Sequence, residues 1–137
     1  MSNKIFNLSE AASIAIHSMV FIAKNEGMTN VVQIAKEFSF SKHHVAKIMQ
    51  RLNKVGMVGS NRGPSGGFFL IKEPKDICLL DIYEAIEGRL PDYDCPMGYD
   101  HCPFNKCLLG TIVNDMTAQF KDYLEVKTLQ FFLDNGY

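Results

Sequence analysis

The stretch Gly59-Ser60-Asn61-Arg62-Gly63-Pro64-Ser65-Gly66-Gly67-Phe68-Phe69-Leu70 reads as a β-hairpin with a basic tip. A strand-like piece, Met57 and Val58, runs into loop-forming residues around one arginine, and a second apolar strand, Phe68 to Ile71, leads away. Glycine permits positive φ and close backbone approach, while Pro64 stiffens the turn. Upstream lies Ser41-Lys42-His43-His44-Val45-Ala46-Lys47-Ile48-Met49-Gln50-Arg51-Leu52. Helical spacing gathers Val45, Ile48, Met49 and Leu52 into one stripe and leaves Lys42, His43, Lys47 and Arg51 away from it. A basic helix followed by an arginine-tipped hairpin is the arrangement with which a winged helix-turn-helix grips DNA.

The flanking sequence supports that reading. Ser9 can cap a helix that runs to about Asn25 and stops before Gly27. It is apolar almost all round, except for a narrow stripe of Glu10, Ser13 and His17. Thr29 or Asn30 caps a second helix, Val31 to Phe38, with Val32, Ile34, Ala35 and Phe38 expected inward. Ser39-Phe40-Ser41 is then the turn, and Ser41 caps the third helix, which ends near Gly56. Two short helices joined by a three-residue turn fit the helix-turn-helix motif. Beyond the hairpin, Pro74 breaks the chain, and Leu79 to Glu87 forms a short amphipathic helix stopped by Gly88. From about Leu108 the chain turns helical again. Leu109, Ile112, Met116, Phe120 and Tyr123 recur at three-to-four spacing, and Thr128 starts a last turn through Leu129, Phe131 and Phe132. A long helix with this stripe on a chain of 137 residues needs a partner surface, and a two-fold dimer is the economical one.

Charge is distributed unevenly. Between Phe38 and Lys72 stand six Lys or Arg and no Asp or Glu; the rest holds eight basic and fifteen acidic residues, a net −7. A local +6 in an otherwise acidic chain is the electrostatic footprint of a nucleic-acid face. No apolar run approaches a membrane span and no signal-peptide pattern opens the chain, so a cytoplasmic protein with no membrane partner is expected. No serine–histidine–acid set or phosphate-binding glycine motif supports catalysis or a small-molecule substrate.

Cys95, Cys102 and Cys107 follow the spacing C-x6-C-x4-C in a segment, Arg89 to Lys106, where Pro91, Pro96, Gly98 and Pro103 exclude regular structure. Three soft ligands on such a loop suit an iron–sulfur cluster or zinc. A thiol switch is the alternative. Cys78 stands apart beside Ile77 and Leu79 and reads as a small buried residue. Three thiolates leave a fourth coordination position. His101 adjoins Cys102, and neighbours chelate one metal poorly, so His17 on the first helix is the better candidate.

These features together resemble the IscR/NsrR-type (Rrf) family of bacterial winged-helix regulators. The resemblance covers nearly the whole chain. It rests on Ser41 to Leu52, the wing Arg62-Gly63-Pro64-Ser65-Gly66-Gly67-Phe68, the helix Leu79 to Gly88, and the loop Cys95…Cys102-Pro103-Phe104-Asn105-Lys106-Cys107. It implies a mainly α fold with a small β-hairpin wing. Residues 1–88 would form the winged helix-turn-helix DNA-binding domain, 89–107 the cysteine-bearing cluster loop, and 108–137 a C-terminal dimerisation helix. It further implies a homodimeric transcriptional repressor whose affinity for double-stranded promoter DNA is controlled by a [2Fe-2S] or [4Fe-4S] cluster sensing nitric oxide, redox state or iron. Cys95, Cys102 and Cys107 would be ligands. Some members take a fourth ligand from an Asp or Glu early in the partner's first helix, a position held here by Ser13, and a first-helix histidine would fall at His17. The DNA-facing residues would be Ser41, Lys42, His43, His44 and Lys47 on the helix, with Arg51 and Lys54 on phosphates. At the wing they would be Arg62, Gly63, Pro64, Ser65 and Gly66, with Arg62 entering the minor groove.

Overall fold

A computed structural model describes residues 8–90, 95 and 99–137; Pro91, Pro96 and Gly98 of the proline-rich segment lie outside them. The first helix, α1 (Glu10–Lys24), is capped by Ser9, whose Oγ accepts the Ala12 N–H at 3.0 Å and donates to Glu87. Its nearly all-round apolar surface makes it the central strut. Ala12, Ile14, Ala15 and Met19 are fully buried, and four other elements pack around them. A helix apolar on every side is stable only when enclosed in this way.

The second helix, α2 (Val31–Phe38), begins with a reciprocal capping box in which Asn30 and Gln33 each accept the other's backbone N–H, both at 2.8 Å. Its inward stripe is Val31, Ile34, Ala35 and Phe38. Val32, expected inward, is 53% exposed. It lies about 100° round the helix from Val31, which takes the core position instead. The turn follows, with Ser39 in the left-handed conformation (φ 58°, ψ 35°). Ser41 then caps α3 (Lys42–Lys54), whose buried residues are Val45, Ile48, Met49 and Leu52, the expected stripe.

Strands β1 (Val58–Asn61) and β2 (Gly67–Leu70) form the hairpin, with Val58 opposite Leu70 and Asn61 opposite Gly67. Thr29 exchanges two backbone hydrogen bonds with Phe68, at 2.8 and 3.1 Å, a single antiparallel bridge that ties the wing to the loop before α2. Only glycine fits at 67. Its φ is +154°, and a Cβ there would stand 2.8 Å from the Thr29 carbonyl. Gly67→Ala is expected to destabilise the fold by on the order of 2 kcal/mol, read as a lower midpoint in thermal unfolding.

A 3-10 turn, Pro74–Asp76, leads to α4 (Leu79–Glu87). Leu79 N–H donates to Lys127 O and Leu129 N–H to Ile77 O, both at 2.9 Å, which joins the start of α4 to the junction between the last two helices. Those are α5 (Ile112–Val126) and α6 (Leu129–Asp134). The expected helix start near Leu108 is displaced. Gly110 (φ +59°) donates to the Cys107 carbonyl at 3.1 Å in a turn, and the helix begins two residues later. The last segment is a separate helix folded back on α1, where it buries Leu129 and Phe132. The expected apolar stripe of α5 therefore divides. Phe120 packs edge to face on Tyr83, with ring centroids 5.3 Å apart, and Leu124 is buried; Ile112, Met116 and Tyr123 stay exposed. No helix among the described residues is long and apolar enough to cross a membrane.

Candidate nucleic-acid interface and thiol loop

Helix α3 shows two distinct sides. Its buried stripe anchors it against α1 and α2, while Lys42, His43, Lys47, Arg51 and Lys54 are all exposed. The cap is Ser41, whose Oγ accepts from the His44 N–H at 3.4 Å. His44 is half-buried and leans back toward α1, with Nδ1 3.8 Å from the Glu10 carboxylate. The freely presented side chains on the first turns are thus Lys42, His43 and Lys47. One guanidinium nitrogen of Arg51 donates to the Ile86 carbonyl at 2.8 Å, so this residue also pins α3 to the end of α4. A bond between an exposed arginine and a helix-end carbonyl leaves no mark in the sequence.

The wing is coupled to α3 by Asn53 Nδ2, which donates to Ser60 Oγ at 3.2 Å. Its tip closes with the Gly66 N–H on the Gly63 carbonyl at 3.0 Å, and Arg62, Gly63, Pro64 and Ser65 are exposed. A Cβ at Gly66 would sit 2.3 Å from the Asn61 carbonyl oxygen, so the tight tip needs glycine. The fold thus joins the helix and the arginine tip into one protruding basic unit, with Lys54 near the helix end.

The thiols occupy a different region. Cys95, Cys102 and Cys107 all line one cavity of about 550 Å³, together with Tyr99, His101, Phe104 and Leu109. Cys102 and Cys107 are exposed and Cys95 is half-buried. Among the described residues no three His, Cys, Asp or Glu side chains stand close enough together to hold a metal ion. The donor chemistry nevertheless fits a soft centre: three cysteines of one loop line one shared space together with apolar and aromatic residues. Holding a metal there requires the loop to draw its thiols inward.

His17 and Ser13 do not line this cavity. They are joined to each other instead. His17 Nδ1 lies 2.7 Å from the Ser13 backbone oxygen, and because a carbonyl can only accept, that nitrogen carries the proton. The imidazole itself is exposed.

Cys78 has a structural part that the sequence reading missed. It is the N-cap of α4, in a reciprocal box where its backbone N–H donates to Asp81 Oδ2 at 3.1 Å and its sulfur faces the Asp81 N–H. The spacing Cys78-x-x-Asp81 is the capping-box pattern with sulfur in place of a hydroxyl, and was legible as such. Partial burial pushes its thiol above the ordinary cysteine value, which keeps it protonated and poorly reactive.

Residues 8–135 match the model of the Rrf2 family, described as iron-dependent transcriptional regulator. The chain belongs to the Rrf2 family. It is 31% identical over 135 residues to the HTH-type transcriptional regulator NsrR of Bacillus licheniformis, covering 93% of this chain and 92% of that one. It is 27% identical over 131 residues to the HTH-type transcriptional regulator IscR of Pectobacterium atrosepticum, covering 93% and 79%. Among solved structures it resembles CymR (YrzC), the global cysteine regulator of B. subtilis, with TM-score 0.77 and 26% identity over 96% of this chain and 99% of that one. The T. potens IscR structure shares the fold at TM-score 0.77 and 24% identity, covering 96% and 89%. As an Rrf2 protein the chain is a DNA-binding transcriptional regulator and not an enzyme, and its fold is the mainly α winged helix-turn-helix expected from its hairpin and basic helix.

Proposed function

We propose that this Rrf2 chain is a homodimeric repressor whose hold on promoter DNA is governed by an iron–sulfur cluster. The observation that carries this is that three cysteines, Cys95, Cys102 and Cys107, line one cavity in a chain of this family. When bound, the cluster supplies a centre that nitric oxide, oxygen or iron shortage can alter. His17 of the partner subunit is the favoured fourth ligand, ahead of Ser13, because an exposed imidazole is a good donor to iron while a neutral hydroxyl is a weak one.

The reading heads act through ordinary contacts. Lys54 and the free donors of Arg51 meet phosphates and set affinity and register. His43 and Lys47 on the first turns of α3 read base edges in the major groove, with His44 beside them, while Ser41 and Lys42 hold the helix start at the backbone. Arg62, on the turn formed by Gly63, Pro64, Ser65 and Gly66, enters the adjacent minor groove.

The exposed side of α5 supports dimerisation. Ile112, Met116, Gln119, Tyr123 and Val126 step along the helix by four, three, four and three, which is the seam of paired helices. Ile112, Tyr123 and Val126 are each more than half exposed. Met116, Gln119, Phe120 and Tyr123 surround a hollow of about 310 Å³, the four-residue hole into which a side chain of a second copy inserts. Met116→Glu would place a charge in that seam. The dimer is expected to weaken by roughly tenfold or more, read by sedimentation equilibrium.

The test of the functional reading is anaerobic purification followed by visible absorption and analysis for iron, sulfide and zinc. Coloured protein with stoichiometric iron and sulfide supports it, and His17→Ala should alter the spectrum. Colourless protein would favour a second reading, a zinc-bound or thiol-switched regulator. Two observations point to that alternative: Cys102 and Cys107 are exposed, and the solved structures with this fold include a cysteine regulator.

A further inference from the structure

Helix α4 ends on an unfavourable charge pattern. Glu84 and Glu87 stand in its last turn, which holds no basic residue. A helix C-terminus already carries partial negative charge on carbonyls without intrahelical partners, and carboxylates there add to it. The relief comes from another element. Arg51 of α3 reaches across and donates from Nη2 to the Ile86 carbonyl at 2.8 Å. Further ties surround that contact. The Gly88 N–H donates to the Glu84 carbonyl and the Leu90 N–H to the Glu84 carboxylate, both at 2.9 Å, and Leu90 is buried. Ser9, the cap of α1, donates to Glu87. Gly88 turns the chain at φ +84°, and Leu90 then moors the near end of the thiol segment, residues 89–107, to the body.

Arg51 therefore serves two surfaces. On α3 it lies four residues from Lys47 and three from Lys54, a spacing that sets all three on one side, and all three are exposed. A guanidinium carries several N–H donors in a rigid fork, so one nitrogen can hold Ile86 while others meet a phosphate. In water an exposed arginine samples many rotamers; clamped between phosphate and carbonyl it keeps one. The same clamp keeps the Ile86 carbonyl capped and the last turn of α4 closed. We propose that Arg51 is a positioning residue that couples the DNA face to the root of the thiol segment. Engagement of a phosphate tightens the Gly88–Leu90 junction, and an ordered junction in turn holds Arg51 in its DNA-contacting pose. Coupling of this kind is reciprocal by thermodynamic necessity. It rests on the reading of Arg51 as a phosphate contact and requires no particular occupant of the cysteine cavity.

The experiment uses the full-length protein and a mixed-sequence DNA duplex at low salt, where phosphate contacts dominate binding. Hydrogen exchange at the Gly88 and Leu90 amides reads the junction. Saturating duplex is expected to slow both by about fivefold or more in the wild type. In Arg51→Ala, saturated with the same duplex, the slowing should vanish, and the salt slope of binding should fall by about one unit per protomer. Arg51→Lys keeps the charge but not the fork. It should bind with a salt slope near that of the wild type and still lose the slowing, which separates coupling from the mere loss of a cation. Slowing that persists undiminished in either variant overturns the proposal. So does a wild type whose two amides ignore DNA, and if Arg51→Ala still lowers the salt slope the phosphate contact stands. An unchanged slope in Arg51→Ala removes the phosphate contact and the coupling with it.

Discussion

Cys102→Ser is expected to purify without air as a folded dimer holding only traces of iron and sulfide. Cys102 stands in the wall of the loop cavity, exposed and away from the core, so the substitution removes a soft donor without opening a void. A serine hydroxyl stays protonated near neutral pH and is a poor substitute for thiolate on iron or zinc. Cys107→Ser should behave alike. Cys78→Ser is the informative control. Serine is a good N-cap, so the variant should keep both its metal and its stability, because the thiol of Cys78 is committed to the start of α4. Metal analysis beside thermal unfolding separates these outcomes. Loss of iron from Cys78→Ser with retention in Cys102→Ser would mean that the ligand set has been assigned to the wrong sulfurs.

The second large effect concerns DNA. Removing Lys47 and Arg62 together should weaken binding to a promoter fragment by roughly 30-fold or more, since each base-reading contact contributes about 1–3 kcal/mol. The loss should depend on sequence, with base preference relaxed at the positions each residue faces. Lys54→Ala should behave differently. A lost phosphate contact weakens all sequences alike and lowers the salt dependence by about one unit of slope. Lys54 is a cleaner phosphate probe than Arg51, whose replacement would also release the Ile86 carbonyl and loosen α3 from α4. Fluorescence anisotropy across a salt series, on cognate and scrambled fragments, distinguishes the two classes. Equal losses on both fragments for Lys47→Ala and Arg62→Ala would assign those residues to the backbone.

The sequence was most legible where one residue type has one physical use. Ser9 and Ser41 cap the helices they were expected to cap, Asn30 rather than Thr29 caps the second, and the stripe Val45, Ile48, Met49 and Leu52 is buried as its spacing requires. Glycines at the hairpin tip announced a turn, and Gly66 and Gly67 prove unable to carry a Cβ. Val32 was misplaced because two consecutive valines at the start of a short helix fit two overlapping stripes, and Val31 took the inner one. Long-range pairings had no local signature. The two bonds between Thr29 and Phe68, the fold-back of α6 onto α1 and the tie between Arg51 and Ile86 all join residues distant in the chain. The same holds for His17. Its place on a polar stripe was visible, but Phe38 and Phe40, whose rings meet it edge to face, come from α2 and the turn after it, more than twenty residues away.

The account turns on metal occupancy of the thiol loop governing DNA affinity, and one titration addresses this directly. Anaerobically prepared protein, and the same preparation stripped of its metal by a chelator, would be titrated onto one labelled promoter fragment at a single salt concentration. The account predicts two curves whose midpoints differ by about tenfold or more. Superimposable curves, from a preparation shown to contain iron and sulfide, would contradict it.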